Sequence, residues 1–215
     1  MAVILSARRT AVCPRGGAFA RLRIEDLAAP VMQAVLADAG IAAARVDEVI
    51  LVNALGAGGN PARRAALLAG LPERVAGLTI DRQCAGGLDA ILLAQAMVDS
   101  GAAEVVLAGG AESYSRRPLR LATDPEGGPA VPYDRPAFSP FPDRDPDLHE
   151  AAWHLAQKLG LTRARMDAWA MESHAKALAG RAPLMAETVP LLGVTADAFS
   201  RALTPALATR APALV

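Results

Sequence analysis

The first half of the chain switches repeatedly between short apolar runs and segments in which apolar residues recur every three or four positions. That switching predicts alternating strands and helices. "AVILSA" (Ala2 to Ala7) reads as a buried strand. From Ile24, apolar residues at Leu27, Ala28, Val31 and Val35 form a helical stripe that Gly40 stops. "EVILVN" (Glu48 to Asn53) reads as a second strand, and Asn60 with Pro61 then supplies an N-cap and a first-turn proline for a helix running to Gly70. "GLTI" is a third strand, leading straight into Cys84. Leu88, Ile91, Leu92, Gln95 and Val98 make one face of a helix ending at Gly101, and "EVVLAGG" is a fourth strand. Strand–helix alternation repeated three times implies right-handed crossovers and a mostly parallel sheet covered by helices.

After Ser115 the pattern breaks. Arg116 to Pro146 holds eight prolines, three of them in "SPFPDRDP", and predicts an irregular excursion without strand or helix. Two helices follow. The first starts at Pro146 behind Asp145, with Leu148, Ala151, Ala152, Leu155 and Leu159 on one face before Gly160; the second is capped by Thr162 and closed by Gly180. The tail from Pro183 is apolar and proline-punctuated, with room for at most one short helix near Ala196 to Leu203. The expected organisation is an α/β core over 1–115, a loop region with two helices over 116–190 and a tail over 191–215.

Charge and composition narrow the function classes. Lys+Arg and Asp+Glu both number 22, so no global field recruits nucleic acid or an anionic membrane. Two cysteines, Cys13 and Cys84, are too few for a disulfide framework. The opening "MAVILSARRT" falls short of a signal sequence or a membrane span, which leads us to expect a cytoplasmic protein. Aromatic residues are only 4%, so the core must be built mainly from Ala, Leu and Val.

Cys84 carries the candidate chemistry. It lies between a strand and a helix that opens on Gly86 and Gly87. A helix N-terminus offers unpaired amides and the positive end of the dipole, which favour a thiolate and can receive a developing oxyanion. The two glycines would let a substrate approach the backbone closely. The same cysteine also reads as a small buried hydrophobe, and spacing alone leaves both readings open. Asn60 to Arg64 suggests a phosphate cradle only weakly, because proline opens the helix and no Lys-Ser/Thr pair follows; it reads as a helix cap. His154 and His174 read as surface or packing residues, and Arg116, Arg117 and Arg120 as a solvated basic cluster.

Five pieces, in order, carry a resemblance: "ILSARRTAV", "VDEVILVNALGAGGNPARRAALLAGLP", "DRQCAGGLDA", "AEVVLAGGAESYSRRP" and "GLTRARMDAWAMESHAKAL". Together they resemble the N-terminal half of the thiolases, the acetyl-CoA acetyltransferases and 3-ketoacyl-CoA thiolases of fatty acid metabolism. The resemblance implies a thiolase-like α/β fold with a loop region inserted after the fourth strand. It implies a dimer, no bound cofactor and no metal, with a coenzyme A thioester as substrate. Cys84 would be the nucleophile that an acyl-CoA or 3-ketoacyl-CoA acylates, its own amide contributing to an oxyanion hole. Gly86 and Gly87 would lie against the substrate, the stretch at Glu112 and Ser113 would support the site, and His149 falls where the family's loop approaches the pantetheine arm.

The departures are as specific. The family's second half supplies a "GHP" histidine and a second cysteine in "CxGxG", and neither motif occurs in this sequence. The usual hydroxyl after the nucleophile is lost in Cys84-Ala85-Gly86-Gly87. The expectation is therefore a thiolase domain incomplete without a C-terminal half, partnered by that half or by a second copy. The alternative is a non-catalytic interaction subunit on a thiolase fold.

Overall fold

Four consecutive apolar residues, Val49 to Val52, are buried in strand β1 (Glu48–Val52), a run that only a strand covered on both faces can sustain. β1 is the centre of a three-stranded parallel sheet, flanked by β2 (Ala76–Ile80) and β3 (Val106–Gly110). Its Val49 lies opposite Gly77 on one side and Leu107 on the other. The alternation of side chains splits the core in two. Val49 and Leu51 face helices α1 (Ile24–Ala39) and α2 (Pro61–Leu68), while Ile50 and Val52 pack with Ala90 of helix α3 (Gly86–Asp99). The α/β reading, with a parallel sheet between helices, is what the structure shows.

The structure is a computed structural model that describes residues 1–214. They divide into two compact units. One comprises Met1–Pro118 with Pro183–Phe199, the other Leu119–Ala182 with residues 200–214. In the first unit, the returning segment is tied down through Arg9, which bonds Glu187 at 2.6 Å and Asp197 at 2.7 Å. The second unit carries an antiparallel pair, β4 (Arg120–Ala122) and β5 (Val131–Tyr133), and helices α4 (Leu148–Lys158) and α5 (Arg163–Ala179). Helix α6 (Arg181–Ala186) leads back to the first unit, and α7 (Pro205–Arg210) packs on α5.

Capping residues mark the helix ends as expected. Asn60 Oδ1 accepts the Arg63 N–H at 3.1 Å, and its Nδ2 donates to Gly77 O at 2.6 Å, so the cap also fixes α2 to β2. Thr162 caps α5, and Gly40 ends α1 in the left-handed conformation.

Five expectations are corrected. Ala2 to Ala7 forms no strand; no strand among the described residues pairs with it, its bonds run to the side chains of Asp99 and Asp38, and Val3, Ile4 and Leu5 are exposed. The face of α3 turned to the sheet is Gly86, Ala90, Ala94 and Met97, not the stripe of larger residues. Small side chains allow the helix close to β1, and Leu88, Ile91 and Leu92 point outward. The proline-rich excursion holds β4 and β5, with Pro132 in an exposed two-stranded pair where its missing N–H is tolerated. α4 begins one residue after Asp147, which forms a capping box with Glu150, and it buries Ala156 rather than Leu148, Leu155 and Leu159. The tail from Pro183 holds the end of α6 as well as a second short helix, α7, begun by Thr204 and Pro205 rather than lying near Ala196 to Leu203.

Candidate active site

The three strands of a parallel sheet end on one side, and the loops there are where α/β proteins bind ligands. Asn53 follows β1, Cys84 comes four residues after β2, and Glu112 follows β3. Cys84 is a free, exposed thiol in a short 3₁₀ turn, Gln83–Ala85, that runs without interruption into α3. The end of α3 is pressed onto the central strand. A Cβ added at Gly86 would overlap Val52 Cγ1 and lie 3.1 Å from Cγ2, so only glycine permits this approach. Gly87 is the opposite case, with nothing within 4 Å of an added Cβ.

The neighbouring loops are held by side chains. Glu112 accepts from Asn53 Nδ2 at 2.8 Å, from the Ala54 N–H and from the Leu55 N–H at 3.3 Å, which clamps the glycine-rich loop after β1 to the end of β3. Ser113 is buried and donates to Leu22 O at 3.0 Å. On the Cys84 side, the Gln83 N–H donates to Asp81 Oδ1 at 2.8 Å, and Arg82 pairs with Asp89 of α3 at 3.0 Å.

Cys13 has a different setting. It is half-buried at a cavity of about 400 Å³ lined by Ala11, Phe19, Leu27, Ser113 and Phe199. Burial first, and the Asp197 charge second, push its thiol pKa upward. His149 is the second residue of α4, exposed, and belongs to the other unit. His154 is exposed, and His174 Nδ1 accepts the Arg201 N–H at 3.3 Å. Arg117 stacks over Tyr114 at 5.8 Å, and Arg120 belongs to β4, so the three arginines do not share one element. Sequence reading missed Asp81 and Gln83. The only available signal was an aspartate two residues before a turn, which commonly bonds the backbone ahead of it.

These features define an α/β domain with an exposed cysteine entering a helix at the carboxyl edge of a parallel sheet. The chain belongs to the thiolase family: residues 2–199 match "Thiolase, N-terminal domain". It is similar to "Putative acetyl-CoA C-acetyltransferase YhfS" of Bacillus subtilis (strain 168), with 40% identity over 176 residues, 80% of this chain and 43% of that protein. It is also similar to "Putative acetyl-CoA C-acetyltransferase VraB" of Staphylococcus aureus (strain MRSA252), 38% identical over 176 residues, 80% of this chain and 46% of that protein. The aligned region thus spans less than half the length of these curated relatives. Among the described residues, no helix is long and apolar enough to cross a membrane.

Proposed function

We propose that this chain is the nucleophile-bearing half of a thiolase-type acyltransferase, with Cys84 carrying the acyl group of an acyl-CoA or 3-ketoacyl-CoA as a thioester. The observation that carries this reading is the exposed Cys84 thiol in the turn that enters α3, at the carboxyl edge of the sheet. Cys84 Sγ attacks the carbonyl carbon, and the carbonyl electron pair moves to oxygen beside the amides at the start of α3. With a simple acyl-CoA, the tetrahedral species then breaks its bond to the coenzyme A sulfur, which leaves as the thiol after taking the proton that Cys84 gave up. With a 3-ketoacyl-CoA it breaks the carbon–carbon bond instead, and the electron pair leaves on acetyl-CoA and is protonated. A second thiol or an acetyl-CoA carbanion takes the acyl group and restores Cys84. The thioester approaches beside Gly87, where space is open, while Gly86 is committed to Val52. No step is assigned to His149.

Proton transfer belongs, in this reading, to a C-terminal thiolase half, whether in the same polypeptide or a separate one. The exposed Leu88, Ile91 and Leu92 of α3 offer that half an apolar face. Loss of a proton-transfer partner costs about a hundred- to ten-thousand-fold in rate. The 215-residue chain alone should therefore form acyl-Cys84 yet show negligible thiolysis of acetoacetyl-CoA. Incubation with acetyl-CoA followed by peptide mass mapping tests this. We expect an acetyl group on Cys84 and not on Cys13, absent from Cys84→Ala. Failure to acylate Cys84, even with a C-terminal half added, refutes the reading and favours the non-catalytic thiolase-fold subunit.

A further inference from the structure

Gln83, immediately before Cys84, has φ 49, a left-handed backbone. Among the described residues only Leu192, at φ 51, is another non-glycine with positive φ. That conformation is unfavourable for a residue with a Cβ and persists only where its surroundings hold it. Gln83 is itself exposed, so packing does not hold it. Its carbonyl accepts the Gly86 N–H, and its amide and side chain are held by one carboxylate. Asp81 Oδ1 accepts the Gln83 backbone N–H at 2.8 Å, and the Gln83 side-chain amide donates to Asp81 Oδ1 at 3.2 Å and Oδ2 at 3.1 Å.

Asp81 is well placed to act as an anchor. It follows β2 directly, and β2 pairs with β1 in unbroken register from Ala76 to Ile80, so the Asp81 backbone is fixed by the sheet. Beyond the turn, Arg82 is tied to Asp89 in the first turn of α3, and Gly86 is pressed on Val52. Cys84 is therefore suspended between the sheet and the helix, with the Gln83 torsion as the joint between them. Relaxing that torsion to negative φ would change the direction in which the chain brings Cys84 into α3.

We propose that Asp81 is a positioning residue for Cys84. It holds Gln83 in the left-handed conformation that aims the thiol, and its carboxylate touches no reacting atom. The proposal rests on the reading of Cys84 as the acyl acceptor. Its test uses two reactions so that the two ideas fail separately: acetylation of Cys84 by acetyl-CoA, and alkylation of Cys84 by iodoacetamide, each followed by peptide mass mapping.

Asp81→Ala should slow both reactions about tenfold, the population change expected when one left-handed residue loses the bond that holds it. Asp81→Asn keeps an acceptor for the Gln83 N–H and should stay within about threefold of wild type, which separates hydrogen bonding from charge. Gln83→Gly in the Asp81→Ala background should restore most of the rate, because glycine adopts positive φ without cost. Thermal melts of the variants should superimpose on wild type. Wild-type rates in Asp81→Ala, a loss in Asp81→Asn equal to that in Asp81→Ala, or no rescue by Gln83→Gly would each overturn the proposal. If wild-type Cys84 is alkylated but never acetylated, even with a C-terminal half added, the acyl-acceptor reading fails, and the alkylation series still decides the role of Asp81.

Discussion

Two adjacent glycines at the start of α3 should respond oppositely to the same substitution. Gly86 has ordinary helical torsions, φ −58 and ψ −34, so alanine there meets no backbone penalty. The obstacle is steric: its Cβ would fall inside contact distance of Val52 Cγ1 and 3.1 Å from Cγ2, on a strand buried on both faces. Overpacking of this kind costs about 1–3 kcal/mol, and the alanine preference of helices returns up to about 1 kcal/mol. Gly86→Ala should therefore lower the stability of the first unit by about 1–2 kcal/mol. Gly87→Ala, with open space around its Cβ, gains only the helix preference and should be neutral or up to about 1 kcal/mol more stable. Because both variants share that preference, the difference between them isolates the clash. Urea unfolding read by circular dichroism gives both values. Adding Val52→Ala to Gly86→Ala should cost less than the sum of the single changes, since it removes the methyl groups that the new Cβ strikes. Equal stabilities for the two alanine variants would refute the argument that Gly86 exists for close approach to β1.

Iodoacetamide at neutral pH should label Cys84 before Cys13, because Cys84 is exposed whereas Cys13 is half-buried with its thiol pKa raised; peptide mapping of partially labelled protein reads the order. Asn60→Ala should destabilise by about 1–2 kcal/mol in the same urea assay, at the upper end for a cap because the bond to Gly77 O is lost as well. Side-chain bonding to Arg9, more than any other cause, holds the Asp197 carboxyl below its ordinary value. The stabilisation is thus complete above the unfolded value of about 3.9 and disappears as pH falls through the lower folded value. Wild type should lose more stability than Asp197→Asn between pH 5 and pH 2, and parallel losses would show that the Arg9–Asp197 pair carries no pH dependence.

The parts of this fold that the sequence makes legible are those governed by neighbours in the chain. Asn60-Pro61 and Thr162 announce helix starts because a cap is a bond to a residue three positions on. β1 is legible because four consecutive residues, Val49 to Val52, cannot all be apolar and buried unless both faces of the strand are covered. What fails is inference from apolar stripes to buried faces. On α3 the larger side chains advertise a face, yet the sheet takes the smaller ones; the same happens on α4, where Ala156 is buried and Leu155 is not. Periodicity states which residues could be covered, and it is silent about how near the covering element stands. At the candidate site, strand, cysteine and paired glycines single out Cys84 in the sequence, but its exposure, which separates a nucleophile from a small buried hydrophobe, is seen only in the fold. The left-handed Gln83 is invisible in the sequence, because glutamine carries no preference for that conformation and its bonds to Asp81 and Gly86 are made only in the folded turn.

The first unit is discontinuous in sequence: it leaves at Pro118 and resumes at Pro183. Everything between is, as far as the first unit is concerned, a single long loop whose two ends that unit fixes, although α7 from the tail packs on its helix α5. The entropy of closing such a loop grows only with the logarithm of its length, so doubling the insertion would cost about 0.6 kcal/mol. The segment can accordingly lengthen, shorten or be exchanged between related proteins with little effect on the sheet that carries Cys84. That makes it a place where the length of the chain can change while the turn that carries Cys84 stays where it is.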